Sequence, residues 1–193
     1  MARTPSTMAQ LGIPANHFNL TDTVSGKTVS LSSFAGKKAL LIMFICNHCP
    51  FVVHVKEQLA KLGEDYRDSE LGIVAISSND VENYPDDSPE KMKAFAEANG
   101  FTFPYLFDDD QSVAKMYRAA CTPDFFLYDE SRLLAYRGQL DSSRPGNDEP
   151  NDGADLRAAI DALLRGERPS VEQKPSIGCN IKWKKGNEPE YAG

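Results

Sequence analysis

Two cysteines, Cys46 and Cys49, lie two residues apart near the first quarter of the chain. This C-x-x-C spacing lets the two sulfurs meet across one helical turn and form a small disulfide ring, or provide half of a metal site. An apolar run precedes the pair and residues with helical spacing follow it. A sulfur at a helix start lies near unpaired N–H groups and the positive end of the helix dipole, which stabilise a thiolate. We therefore predict Cys46 as the attacking thiolate and Cys49 as the resolving thiol.

Two further side chains bear on the same chemistry. His48 stands between the cysteines, where a positive charge would stabilise the reduced state and make the disulfide more oxidising; the alternative is a solvated residue of the helix start. Cys179 lies in the C-terminal tail. If the tail folds back, Cys179 can resolve a mixed disulfide as a third redox thiol; otherwise it packs beside Ile177, Ile181 and Trp183.

A second short motif, Cys121-Thr122-Pro123-Asp124, stands before a predicted strand. Proline at a strand entrance can be an edge device that prevents further pairing. It is also the only kind of position at which a cis peptide bond is plausible. Cys121 is interpreted as a small buried residue.

The bulk properties limit the classes of function. The chain has 193 residues, a net charge of −7 and four cysteines, with an estimated pI of 5.0. Such a charge disfavours binding to nucleic acid or anionic membranes, and the N-terminus has no secretory h-region. Four cysteines are too few for a disulfide scaffold. We expect a cytoplasmic protein of one domain, 1–193, with its core at about 17–166 and a tail at 167–193.

The elements around the cysteines alternate between strands and helices. Such an order predicts an α/β fold with a central mixed sheet, helices on its faces, an N-terminal hairpin and an extended C-terminal tail. The predicted elements are hairpin arms at 18–20 and 28–31, strands at 39–45, 72–77, 105–107, 125–128 and 133–137, and helices at 47–67, 88–99, 110–117 and 155–164.

Acidic residues cluster in two places, Asp86-Asp87 and 108–110. Neither cluster has the ligand spacing or the glycine of a calcium loop. Both are interpreted as solvated turns and helix caps.

Taken together, these motifs resemble the thioredoxin-like superfamily, and within it a peroxiredoxin-like branch related to the alkyl hydroperoxide reductase and thiol-specific antioxidant proteins. The resemblance implies a thioredoxin-like fold without a cofactor. It also implies that Thr122 and a cis Pro123 face the cysteine pair and bind the substrate thiol or peptide. The segments that carry the resemblance are 44–50, 77–80, 121–126, 141–146 and 175–183.

The chain departs from the peroxiredoxin pattern at the residues that handle peroxide. In that family a Thr lies three residues before the peroxidatic Cys, and a Pro lies four residues before the Thr. With Cys49 aligned to the peroxidatic Cys, those positions hold Cys46 and Ile42. A helper Arg is not placed by the pattern, although Arg118 and Arg137 are candidates. The residues therefore favour dithiol–disulfide exchange over efficient peroxide reduction.

The expected function is that of a thiol–disulfide oxidoreductase. Its expected partners are a disulfide-bearing protein or a small thiol or peroxide, together with a thiol electron donor such as a thioredoxin system; an oligomer is compatible with the sequence. No metal is expected. Two alternatives stay open: a peroxiredoxin-like hydroperoxide reductase with an antioxidant role, and a redox sensor or zinc-binding partner protein without turnover. Extra zinc ligands for the last are His17, His54, Cys121 and Cys179.

Overall fold

A buried strand carries the chain to the cysteine motif. In the computed structural model, which describes residues 3–192, strand β4 (Ala39–Phe44) is buried along its whole length. It pairs in parallel with β5 (Leu71–Ser77) and antiparallel with β8 (Asp124–Tyr128). A continuous apolar run is what a strand covered on both faces requires.

The main sheet has seven strands and mixed directions. Beside the three central strands, it contains β2 (Asn19–Asp22), β3 (Thr28–Ser30), β6 (Tyr105–Phe107) and β9 (Leu134–Gly138). The strand order is β3-β2-β6-β5-β4-β8-β9. β5 and β6 are parallel, whereas the pairs β2/β3, β2/β6 and β8/β9 are antiparallel.

Helices cover both faces of this sheet. Alternate residues of β4 point to two separate apolar clusters. One cluster takes the buried faces of α1 (Pro50–Asp65), α2 (Pro89–Asn99) and α4 (Ala154–Leu164). The other takes the short helix α3 (Ser112–Tyr117). The predicted mixed sheet flanked by helices is confirmed, and the predicted strands and helices are present with shifted ends.

The two ends of the chain are more ordered than the sequence indicated. β1 (Thr4–Pro5), which precedes the predicted core, pairs with β10 (Ile177–Asn180) in the tail. β10 also pairs with β7 (Cys121–Thr122), so the three form a small second sheet. Met1, Ala2 and Gly193, which the predicted domain includes, lie outside the described residues.

None of the helices in residues 3–192 is long and apolar enough to cross a membrane.

Candidate active site

The two cysteines lie where β4 passes into α1. Cys46 follows β4 by two residues, and Cys49 is the N-cap of α1, with Pro50 at the first helical position. Both are buried, with Cys46 1% and Cys49 0% exposed. Helix α1 was predicted to begin at Asn47; it begins three residues later. The sulfur at the helix N-terminus is therefore that of Cys49.

Thr122 contacts both sulfurs from the other side. Its Oγ1 lies 3.3 Å from Cys46 Sγ. Its carbonyl oxygen lies 3.1 Å from Cys49 Sγ and accepts a hydrogen bond when Cys49 is a thiol. The Thr122-Pro123 peptide bond is cis, as the resemblance implied. The structure thus brings Thr122 to the cysteine pair, and its role in substrate binding stays a prediction.

The two thiols differ in their electrostatics. The Cys46 thiol donates to the Cys49 sulfur, and this bond is the largest cause that lowers the pKa of Cys49. Burial opposes it, whereas Cys179 and the Val52 N–H support it, so that the pKa of Cys49 falls to about 5. The same interaction, burial and the nearby charge of Asp87 raise the pKa of Cys46 well above its usual value. The two shifts therefore favour negative charge on Cys49 over Cys46.

These shifts favour the opposite assignment to the one predicted from the sequence, with Cys49 in place of Cys46 as the thiolate. The prediction placed the thiolate on Cys46 because it assumed a helix that starts directly after that residue. With the start of α1 at Pro50, the N-cap position and the backbone N–H of Val52 serve Cys49 instead. The electrostatics of a helix N-terminus act over the first turn only.

His48 is paired with a carboxylate. Its Nδ1 lies 2.6 Å from Asp87 Oδ2, and the ring stacks on Tyr84 with centroids 5.6 Å apart. The Nδ1–H is not aligned for a good hydrogen bond, and the contact is an ion pair when the imidazole is protonated. Asp87 raises the pKa of His48 against the opposing effect of burial.

Asp87 was interpreted as part of a solvated turn, and that interpretation is wrong. Its side chain is 0% exposed. It accepts hydrogen bonds from the backbone N–H of Asn47 at 2.8 Å and from Asn79 Nδ2 at 2.7 Å. Burial raises the pKa of Asp87, but these donors and His48 outweigh it, so the pKa is lowered. Asp87 is an ionised carboxylate beside the cysteine motif.

A sequence signal for this network existed in the polar run Ser78-Asn79-Asp80, which directly follows the buried strand β5. The carboxyl ends of parallel neighbours meet at one sheet edge, where ligands bind in such folds. That rule places Asn79 near the residues that follow β4, whereas nothing in the sequence links Asp87 to them.

Asp108, in the second acidic cluster, is also buried. It nevertheless does what was predicted of a cap, because its carboxylate accepts the backbone N–H groups of Val113 and Ala114 at the start of α3.

Cys179 reaches the site from the tail. In the pairing of β10 with β7 it stands opposite Thr122. Its thiol and its backbone N–H both stabilise negative charge on Cys49. Burial and the charge of Cys49 raise the pKa of Cys179 to about 12. The structure thus places Cys179 beside the cysteine pair.

The other candidates lie elsewhere. Arg137 forms a buried ion pair with Asp124, and Arg118 lies over the ring of Tyr191. Within residues 3–192, neither arginine hydrogen-bonds to Cys46 or Cys49. Burial raises the pKa of Cys121 well above its usual value.

One group of side chains has the composition of a partial metal site. Single ligand atoms of Cys46, His48 and Asp87 all lie within 4.8 Å of one another. Structural zinc sites usually have four ligands, mostly sulfur and nitrogen. Here Asp87 already accepts hydrogen bonds from Asn47 and Asn79.

Residues 11–137, which include the cysteine motif and the cis-proline, match the model of the AhpC/TSA family. The chain belongs to the AhpC/TSA family. Outside that match, this AhpC/TSA protein has α4 and the tail with β10, so Cys179 is not part of the matched region.

Similar proteins agree with a thioredoxin-like redox fold. A crystal structure of a conserved protein from Geobacillus kaustophilus has 53% sequence identity and a TM-score of 0.93, covering 95% of this chain and 97% of that one. Thioredoxin-like protein YneN of Bacillus subtilis is 31% identical over 65% of this chain and 69% of its own. Peroxidoxin BcpB of Mycobacterium tuberculosis shares the fold, at 21% identity and a TM-score of 0.59, covering 83% of this chain and 99% of that one.

Proposed function

We propose that this AhpC/TSA protein is a thiol–disulfide oxidoreductase in which Cys49 is the attacking thiolate and Cys46 the resolving thiol. The observation that carries the proposal is the contact of both sulfurs with Thr122, combined with the opposite shifts of their pKa values. Disulfide exchange requires a thiolate that attacks the substrate disulfide and a second thiol close enough to resolve the mixed disulfide.

The first step forms a mixed disulfide. The Cys49 thiolate attacks one sulfur of a substrate disulfide, and the other substrate sulfur leaves as a thiolate that takes up a proton. This step removes the negative charge from Cys49. Because the Cys49 interaction is the largest cause of the raised pKa of Cys46, that pKa then falls.

The second step releases the substrate. Cys46 loses its proton and attacks Cys49, which forms the Cys46–Cys49 disulfide and frees the second substrate sulfur. Asp87 and His48 lie close enough to Cys46 to take part in moving this proton. A dithiol donor, such as a thioredoxin system in the cytoplasm, then reduces the protein disulfide by the same exchange chemistry.

Hydroperoxide reduction is the second candidate, because Cys49 has a lowered pKa and the alignment of the peroxidatic cysteine. Two observations count against it. Cys46 occupies the position of the threonine that orients the peroxide, and the candidate arginines Arg137 and Arg118 contact Asp124 and Tyr191 instead of the cysteines. A thiolate alone reacts with peroxide, but efficient reduction needs donors that stabilise charge on the peroxide oxygens.

The test is disulfide reduction, measured as insulin precipitation and as reduction of a small aromatic disulfide, with dithiothreitol as the donor. We expect Cys49→Ser to abolish turnover, and Cys46→Ser to lose the 46–49 disulfide and to slow release of the substrate from the mixed disulfide. Cys121→Ser, a buried cysteine outside the pair, should retain activity and is the matched control. Equal rates for the wild type and Cys49→Ser would contradict the proposal.

Two measurements on the same samples test the alternatives. Hydrogen peroxide consumption that depends on Cys49 and exceeds disulfide reduction would favour the peroxidase. Stoichiometric zinc in protein purified without chelator, released by thiol modification, would favour the zinc-binding partner.

A further inference from the structure

We propose that Cys179 is a third redox thiol, which exchanges with Cys49 and moves the disulfide from the Cys46–Cys49 pair to Cys49–Cys179. The inference rests on the proposed function, since that function supplies the first disulfide. It gives the C-terminal tail a part in the reaction of this site.

Backbone pairing holds Cys179 at the site. In β10, Cys179 lies opposite Thr122 and Asn180 lies opposite Cys121. Thr122 is also the residue that contacts both sulfurs of the pair. Helix α1, which begins after Cys49, contacts β10. Cys46, Cys49 and Cys179 consequently share one buried cluster.

The approach of β10 to Thr122 is closer than an ordinary side chain allows. A Cβ atom built on Gly178 would lie 2.0 Å from the carbonyl oxygen of Thr122. Only glycine fits there, since contacts that short require the backbone to move. The residue before Cys179 therefore permits the short distance between the tail and the cysteine pair.

The tail is anchored on both sides of Cys179. Before it, Ser176 Oγ donates to the carbonyl of Pro123 at 2.7 Å. After it, the backbone N–H of Lys182 donates to Asn79 Oδ1 at 2.8 Å, and the N–H of Asp80 donates to the Lys182 carbonyl at 2.8 Å. Asn79 also binds Asp87. The tail is thus fixed to the same loop that holds the carboxylate of the site.

The exchange balances without an external oxidant. Cys179 loses its proton and attacks Cys49 Sγ of the Cys46–Cys49 disulfide. The Cys49–Cys179 bond forms, the Cys46–Cys49 bond breaks, and Cys46 leaves as a thiolate that takes up a proton. Once Cys49 is in a disulfide, the negative charge that helps to raise the pKa of Cys179 is gone.

The exchange also moves the disulfide outward. Cys179 is 6% exposed, compared with 1% for Cys46 and 0% for Cys49. All three cysteines are buried, so the exchange shifts the disulfide by a small step toward the surface. Because β10 occupies the pairing edge of Thr122, an external peptide cannot pair with that edge while the tail is in place.

The test is disulfide mapping of the full chain. Wild type, Cys46→Ser, Cys179→Ser and the control Cys121→Ser are equilibrated with oxidised and reduced glutathione, blocked with N-ethylmaleimide, and mapped by mass spectrometry. We expect both the 46–49 and the 49–179 bonds in the wild type and in Cys121→Ser. Cys46→Ser should form only 49–179, and Cys179→Ser only 46–49.

The outcomes separate the two proposals. If the wild type forms the 46–49 bond and no sample forms the 49–179 bond, the role of Cys179 is overturned and the proposed function stands. Absence of the 46–49 bond in the wild type and in Cys179→Ser would overturn the proposed function instead.

A second variant tests the geometry. Gly178→Ala forces β10 away from Thr122, so we expect 49–179 formation to slow by at least about tenfold, which is a change of roughly 1.4 kcal/mol in the barrier, while 46–49 still forms. Glu188→Ala, an exposed change in the same tail, is the control and should match the wild type. An unchanged rate in folded Gly178→Ala would contradict the proposal.

Discussion

Two ion pairs with buried carboxylates lie near the cysteine motif and the cis-proline, and they differ in kind. Asp124 pairs with Arg137, and Asp87 pairs with His48. Both carboxylates are fully buried. Arg137 is fully buried as well, whereas the His48 side chain is 29% exposed.

The partner decides what each pair can do. The guanidinium of Arg137 lies 3.7 Å above the ring of Phe126, and its partner Asp124 also accepts the backbone N–H of Ala120. That pair holds β8 and β9 together. His48 can gain and lose a proton near neutral pH and lies beside Cys46. Burial alone therefore does not mark a functional carboxylate; a titratable partner near a reactive group does.

The largest expected effect is on stability, at Arg137. Arg137→Leu leaves the Asp124 charge buried and unpaired, which costs about 3–5 kcal/mol. Denaturant unfolding should show this loss, and the pH titration of the thiols should be unchanged in the protein that stays folded. Arg165→Leu removes an exposed pair with Glu167 and is the control, with little or no expected loss of stability. Comparable losses of unfolding free energy in Arg137→Leu and Arg165→Leu would contradict the structural role assigned to Arg137.

A smaller stability effect with a chemical consequence is expected at Asp87. Asp87→Asn removes hydrogen bonds to a charged group, for a cost of about 1.5–3 kcal/mol. Its charge is one of the causes that raise the pKa of Cys46, so that pKa should fall in the variant. Ultraviolet thiolate absorbance against pH measures the change. Asp86→Asn changes the exposed neighbour and should leave the thiol titration as it is in the wild type. Equal titrations in the wild type, Asp87→Asn and Asp86→Asn would show that Asp87 does not affect the pKa of Cys46.

The smallest expected effect is a pH dependence at His48. Its folded pKa is raised above the unfolded value of about 6.5, so its contribution to stability is complete below that value and is lost as pH rises through the folded pKa. Exposure limits the contribution to about 1 kcal/mol or less. The thermal unfolding temperatures of the wild type and His48→Gln should therefore show their largest difference at pH values below about 6.5. They should converge as the pH rises above neutral. A difference between the two proteins that is the same at every pH would contradict the contribution of the His48–Asp87 contact.

The contrast between the two pairs also explains what the sequence could predict. The apolar runs of β4 and β5 and the helical spacing of α1 are local patterns, and they led to the correct fold. The order strand, C-x-x-C, helix located the cysteine pair, and Thr122-Pro123 was correctly joined to it. These features depend on residues close together in the chain.

The missed features depend on residues far apart in it. Asp87 is buried because Asn47, His48 and Asn79 converge on it, and no local pattern distinguishes it from the exposed Asp86. The helix α1 begins three residues later than predicted, which places Cys49 rather than Cys46 at the N-cap. The strand β10 forms only because β1 and β7 pair with it.

The most direct test is the thiolate absorbance of the fully reduced protein from acidic to alkaline pH. We predict one thiolate that titrates with a pKa of about 5, is lost in Cys49→Ser and is retained in Cys179→Ser. A first thiolate that appears only above about pH 8, the range of an ordinary cysteine, would contradict the assignment. So would one that disappears in Cys46→Ser and persists in Cys49→Ser.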